Sequence, residues 1–194
     1  MSPVFLVSYG LLWLLVAVLF VGVFALYHHF GQVYLTSRTG RQEQGPAEGS
    51  MFQPIEATVL NGDPVVIPHA NKPSLVIFTS TDCALCSRLR PGIARVADAH
   101  PEVDLYVACA GQERMVRAWA SDVGDAVPVI ADPRARISSR YRVGAWPFVI
   151  AIGDDGAVRG RGLVNDDDGL ERAVLDAIAL PLVAIASDER NVTQ

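Results

Sequence analysis

The stretch Ser74-Leu-Val-Ile-Phe-Thr-Ser-Thr-Asp-Cys83-Ala-Leu-Cys86-Ser-Arg-Leu-Arg-Pro91 decides how the rest of the chain is read. Leu75, Val76, Ile77 and Phe78 are consecutive strand formers, enough for a buried strand and too few for a helix. Thr79, Ser80, Thr81 and Asp82 are turn and N-cap residues. Beyond them Leu85, Leu89, Ile93, Val96 and Ala97 recur at helical steps, so a helix is predicted from Ala84 to the region of His100-Pro101, where proline forbids continuation. Cys83 then sits at the first turn of that helix and Cys86 one turn further in.

A helix N-terminus favours a thiolate, because its free amide N–H groups and the positive end of its dipole face the sulfur. Such a site lowers a cysteine pKa from about 8.5 by one to several units. Cys83 is the outer sulfur and the candidate nucleophile. Cys86, toward the helix interior, is placed to resolve a mixed disulfide. A structural disulfide and half a zinc site are the rival readings. Zinc takes four ligands, whereas beyond this pair the chain has only Cys109 and four scattered histidines. No metal or cofactor is therefore expected.

The chain has 194 residues and a net charge of −5, which suits one ordinary domain plus extras and gives no basic footprint for nucleic acid. Three cysteines are too few for a disulfide-stapled scaffold. From residue 2 to residue 37 there is no Asp, Glu, Lys or Arg, and residues 4–27 are almost wholly apolar. About 20 apolar residues span a bilayer, so a transmembrane anchor is expected over residues 1–30. A cleaved signal peptide would show a basic start and a shorter apolar run. Arg38 and Arg41 on the C-terminal side, opposed by Glu43 and Glu48, vote only weakly for a cytoplasmic domain. His28 and His29 fall at the membrane edge as polar anchors.

Residues 31–53 read as a linker. Asn61-Gly62 between two short apolar runs predicts a hairpin. Strands are expected at 103–109, 127–131, 148–152 and 157–163. Helices are expected at 112–123, with Met115, Val116, Trp119 and Val123 inward, at 134–141, and at 168–179, with Leu170, Ala173, Val174, Ala177 and Ile178 inward. The exposed face of the 134–141 helix is basic. Residues 180–186 are too short for a second span, and residues 181–194 are expected to form a docked tail. His69 and His100 read as surface loop residues. Cys109 reads as a buried small hydrophobe, with a third redox sulfur as the alternative. Alternating strands and helices predict an α/β fold with a mixed sheet covered on both faces.

This order of elements resembles the thioredoxin superfamily from residue 55 to residue 178, which places the thioredoxin-like domain at 54–180. Pro91 lies five residues after Cys86, where thioredoxins have a helix-kinking proline. Tyr141-Arg-Val-Gly-Ala-Trp-Pro147-Phe-Val-Ile is similar to the segment carrying their cis-proline, and Asp154-Asp155-Gly156 to the hairpin turn that follows. The resemblance implies that Trp146 and Pro147 frame an extended substrate segment opposite Cys83. Within the superfamily, the apolar start, Ala25-Leu-Tyr-His-His-Phe-Gly-Gln-Val, and Phe78-Thr-Ser-Thr-Asp-Cys-Ala-Leu-Cys look most like the membrane-anchored MauD type, with the TlpA-like and ResA-like thioredoxins next. That likeness implies an inner-membrane, single-pass protein with its domain outside the cytoplasm. It implies a thiol–disulfide oxidoreductase that matures an extracytoplasmic protein, exchanges with protein thiols and disulfides, and is recycled by a membrane redox partner.

The departures are specific. Asp82 replaces the usual Trp, no proline separates the sulfurs, Ile77 stands where many thioredoxins bury a carboxylate, and Trp146 before the proline is unusual. Asp82 opposes the helix field, since an anion raises a neighbouring thiol pKa. Two alternatives stay open. A thiol peroxidase would want Pro and Thr where Val76 and Ser80 stand. A metal-delivery or assembly module on the same scaffold would use a longer Cys spacing and a His.

Overall fold

A computed structural model describes residues 3–34, 44–124 and 126–179, with the side chains of the first stretch described from 7 to 23. The chain divides into two compact units, residues 1–43 and 44–194. The first is a single helix, α1, over Pro3–Tyr34. Its described large apolar side chains stand open, Leu11, Leu14 and Phe20 at 66%, 66% and 72% exposure. Among the described residues no helix is long and apolar enough to cross a membrane. Arg38, Arg41 and the expected tail at 181–194 lie outside the described residues.

The second unit opens with a hairpin of β1 (Ile55–Thr58) and β2 (Pro64–Ile67). Gly62 turns it at φ +99°, a conformation that glycine adopts without a Cβ penalty. There follow β3 (Ser74–Ser80), α2 (Ala84–Ala99), β4 (Asp104–Ala110), α3 (Glu113–Ala120) and β5 (Val129–Asp132). A 3-10 turn at Pro133–Ala135 leads into α4 (Arg136–Arg140), then β6 (Phe148–Ile152), β7 (Val158–Leu163) and α5 (Asp167–Ile178). The five-stranded sheet has the order β5-β4-β3-β6-β7, with β3, β4 and β5 parallel and β6 and β7 antiparallel to their neighbours.

β3 is the centre of this sheet and all seven of its residues are buried. Its pleat sends Leu75 and Ile77 into one core, with α2, α3 and α5, and Val76 and Phe78 into the other, with the hairpin and α4. A strand buried on both faces must be apolar throughout, and each such side chain contributes about 1.5–3 kcal/mol on leaving water. Both sheet edges are covered. Leu60 N donates to Val129 O at 2.9 Å along β5, and Gly49 N donates to Val158 O at 2.8 Å along β7. Residues 44–53, before the expected domain start, thus pack on this unit. Phe52 is buried and stacks on Tyr141 at 4.9 Å, and the Tyr141 hydroxyl donates to Gln53 O at 2.5 Å.

Two inward expectations are corrected. Met115 is 49% exposed and Ile178 40%, because each lies at the margin of its helix stripe, off the side that meets the sheet. His100 is also more than a loop residue. Its ring lies 3.0 Å from Glu102 and 2.9 Å from Glu171, which ties the end of α2 to α5. The Glu102 carboxylate first, then Glu171, hold the imidazole above its ordinary value of about 6.5, against the opposing effect of burial. A raised folded-state pKa gives stability that is complete below the unfolded pKa and is lost as pH rises through the folded one. The excess stability of the wild type over His100→Gln should therefore shrink from pH 6 to pH 9, as read from thermal midpoints across that range. A constant difference would show that the ring acts through packing.

Candidate active site at the head of helix α2

β3 ends at Ser80, and the chain turns through Thr81 and Asp82 to reach α2. Thr81 N donates to Ala110 O at 3.0 Å, so the turn is laid on the end of β4. Gly111 makes this approach possible. At φ +154° a Cβ there would meet the Thr81 side chain at 2.7 Å. Cys83 is the N-cap of α2 in extended backbone (φ −97°, ψ 108°), and its sulfur accepts from Cys86 N at 3.1 Å. An unfilled amide of the first helical turn is thus aimed at the outer sulfur.

Cys83 and Cys86 form a disulfide. Cys83 is half-buried and Cys86 fully buried, packed with Leu89, Ile77 and Val107. A partner can reach one sulfur and not the other, as a nucleophile and a resolving thiol require.

Pro91 lies inside α2, where its missing N–H leaves Ser87 O without a helical donor. Arg90 Nε donates to that carbonyl at 3.0 Å. The same guanidinium donates to Trp119 O at 3.2 Å and pairs with Asp122 at 2.7 Å, which fixes α2 against α3. These roles of Arg90 were not legible in the sequence, because its partners lie about 30 residues away.

The loop before β6 forms the opposite wall. The Trp146–Pro147 peptide is cis, and Trp146 O lies 3.9 Å from Cys83 Sγ. The structure therefore brings together Cys83, Cys86, Trp146 and Pro147. The Trp146 indole is half-buried and packs against both cores. A second cis bond, Ile67–Pro68, was missed by the sequence reading.

Cys109 stands beside Thr79 in the β3–β4 register and is fully buried. Burial pushes its thiol up to about 11, the Thr79 hydroxyl draws it partly back, and the Asp132 carboxylate adds to the rise. It stays a neutral thiol at physiological pH, which fits the small-hydrophobe reading. Among the described residues no group of three or more His, Cys, Asp or Glu could hold a metal ion. Asp132 was also missed. Fully buried at the end of β5, it accepts from Ile137 N at 2.8 Å, Ser138 N at 2.9 Å and Ser138 Oγ at 2.8 Å, and so anchors α4. Its position just before a proline and a short helix was the available signal.

A mixed five-stranded sheet, a Cys-x-x-Cys disulfide capping the helix after the central strand, and a cis-proline loop against the outer sulfur define a thioredoxin-like protein. Solved structures agree on the fold. A secreted Mycobacterium tuberculosis disulfide oxidoreductase homologous to E. coli DsbE matches at TM-score 0.55 and 23% identity over 62% of this chain and 94% of its own. A Chlorobium tepidum thiol:disulfide interchange protein DsbE matches at TM-score 0.62 and 16% identity over 69% and 99%. The curated relatives are all methylamine utilization protein MauD. That of Methylophilus methylotrophus is 28% identical over 134 residues, and that of Paracoccus versutus 27% over 131, each covering 66% of this chain. The match spans 62% of the Methylophilus protein and 65% of the Paracoccus one. No family model matches.

Proposed function

We propose that the chain is a membrane-tethered thiol–disulfide oxidoreductase of the MauD-like kind, acting on protein cysteines outside the cytoplasm through Cys83 and Cys86. The asymmetry of the pair carries this reading: an accessible outer sulfur at a helix N-terminus, a fully buried inner one, and a peptide wall 3.9 Å away. Cys83 forms the mixed disulfide and Cys86 resolves it. Trp146 and Pro147 hold the substrate strand. The relatives' part in methylamine utilization suggests maturation of a methylamine dehydrogenase-like or cytochrome protein, with a membrane redox partner to recycle the pair. The anchor reading is supported by the uncharged run from residue 2 to residue 37, against the about 20 apolar residues that span a bilayer.

The test is the reduction potential of the pair in the full chain, held in nonionic detergent and equilibrated with a thiol buffer. A value near −120 mV would make it an oxidant, and one near −270 mV or below a reductant. A pair that does not equilibrate with small disulfides refutes the reading. Release of the chain from membranes by an alkaline wash refutes the anchor.

A further inference from the structure

The segment that leads into the cis-proline loop carries Arg134, Arg136, Arg140 and Arg142, and no Asp or Glu stands between Asp132 and Pro147. In a chain with 21 acidic and 16 basic residues, four of the basic ones fall within nine positions. All four are exposed, and among the described residues none forms an ion pair. Arg140 makes only a ring contact, 5.8 Å over Tyr141. An ordinary solvated helix face intersperses its charges, as Glu113 and Arg117 do on α3. Arg134 and Arg142 also hold left-handed backbone, at φ +62° and +55°, where glycine or asparagine fits with less strain. Among the described residues, the Arg140–Tyr141 ring contact is the one use made of these four guanidinium groups.

The location is as informative as the charge. Ser80, Ala110 and Asp132 share one row across β3, β4 and β5, so this segment leaves the sheet at the same end as the cysteine turn. At its other end Arg142 is four residues from Trp146, at most about 14 Å of chain, and Trp146 O touches Cys83. Arg136 and Arg140 line a groove with Thr58, Ile130, Pro133 and Ile137. Two anions face it. Glu56 is exposed, and Asp132 is buried and spent on three hydrogen bonds.

We propose that this arginine segment is a docking surface for an acidic stretch of the protein substrate. The proposal rests on the exchange reading above. The exposed Asp82 beside Cys83 repels acidic residues next to the reacting cysteine, so the stretch that docks flanks that cysteine on the α4 side. A bilayer laid on this face would cover the disulfide. In the reducing direction the Cys83 thiolate attacks a substrate disulfide, forming a mixed disulfide and expelling one substrate thiolate. Cys86 then attacks Cys83, releases the second thiol, and leaves the substrate reduced by two electrons and the pair oxidised. The arginines act before this chemistry, on encounter.

The test uses the full oxidised chain in nonionic detergent and two fluorescent cysteine-free peptides, one rich in Asp and Glu, the other its Lys counterpart. The acidic peptide should bind about tenfold tighter at low salt, and the difference should vanish near 1 M salt, where screening reaches about 3 Å. R136Q/R140Q and the backbone-compatible R134N/R142N should each weaken acidic binding several-fold. The salt titration of the wild type needs no variant and so does not depend on how the variants fold. Equal affinity for the two peptides at low salt overturns the proposal. So does arginine-dependent binding to phosphatidylserine vesicles without binding to the acidic peptide. Acidic binding in a chain that fails to exchange with a neutral disulfide would sink the redox reading and leave the docking surface standing.

Discussion

Cys83→Ala should reduce disulfide exchange to the uncatalysed background, whereas Cys86→Ala should capture its substrate as a stable mixed disulfide at Cys83. The difference follows from burial and helix position. Cys83 is the sulfur that a partner reaches, and the Cys86 amide and the positive end of α2 face it. Both favour the thiolate, the reactive form of the reduced sulfur. Asp82 works against that gain, and Asp82→Asn should raise the rate at pH 7. Cys86 meets no substrate, so its loss spares the first step and blocks the second. Non-reducing gels of the two variants after exposure to an oxidised protein decide the matter. Turnover retained in both, or mixed disulfides on Cys86 alone, would end the assignment of roles.

Asp132→Ala should cost about 3 kcal/mol or more and lower exchange with protein substrates as well. One buried carboxylate receives two amides and a hydroxyl from α4, and alanine leaves all three donors unmatched, the two of Ser138 in a buried setting. The residues that lose their anchor lead directly to Trp146 and Pro147, so the wall facing Cys83 loses its support. Asp132→Asn keeps part of the acceptor set and should fall between alanine and wild type. Urea unfolding at pH 7 reads the first effect, and kcat/KM for a protein disulfide against that for a small disulfide reads the second. A stability change under 1 kcal/mol would show that α4 holds its place without this residue.

The disulfide pair and most of the scaffold were legible in local patterns. β3 is a run of apolar residues because both of its faces are buried. The Asn61-Gly62 turn and the Asp154-Asp155-Gly156 turn mark their hairpins because few residues other than glycine accept their backbone angles. The inward faces of α2, α3 and α5 follow from period, with misses at the stripe margins, Met115 on α3 and Ile178 on α5. The Arg90 contacts with Trp119 and Asp122, the Gly111–Thr81 contact and the His100–Glu171 pair were not legible, because each joins residues about 30 or more positions apart. Asp132 was missed although its α4 partners lie only five and six residues on.

The amino-acid order alone determined the uncharged N-terminal run, the strand–turn–helix that presents two sulfurs three residues apart, and the sequence of strands and helices behind it. Those features are encoded by neighbours, through hydrophobic period, turn chemistry and capping. The tertiary structure decided which sulfur is open, that Trp146 lies against it, that Cys109 is sealed away beside Thr79, and that four arginines leave the sheet at the same end as the disulfide. Each of these is set when segments distant in sequence pack together, Cys83 and Trp146 being 63 residues apart, so the physical cause is the shared core rather than any local pattern.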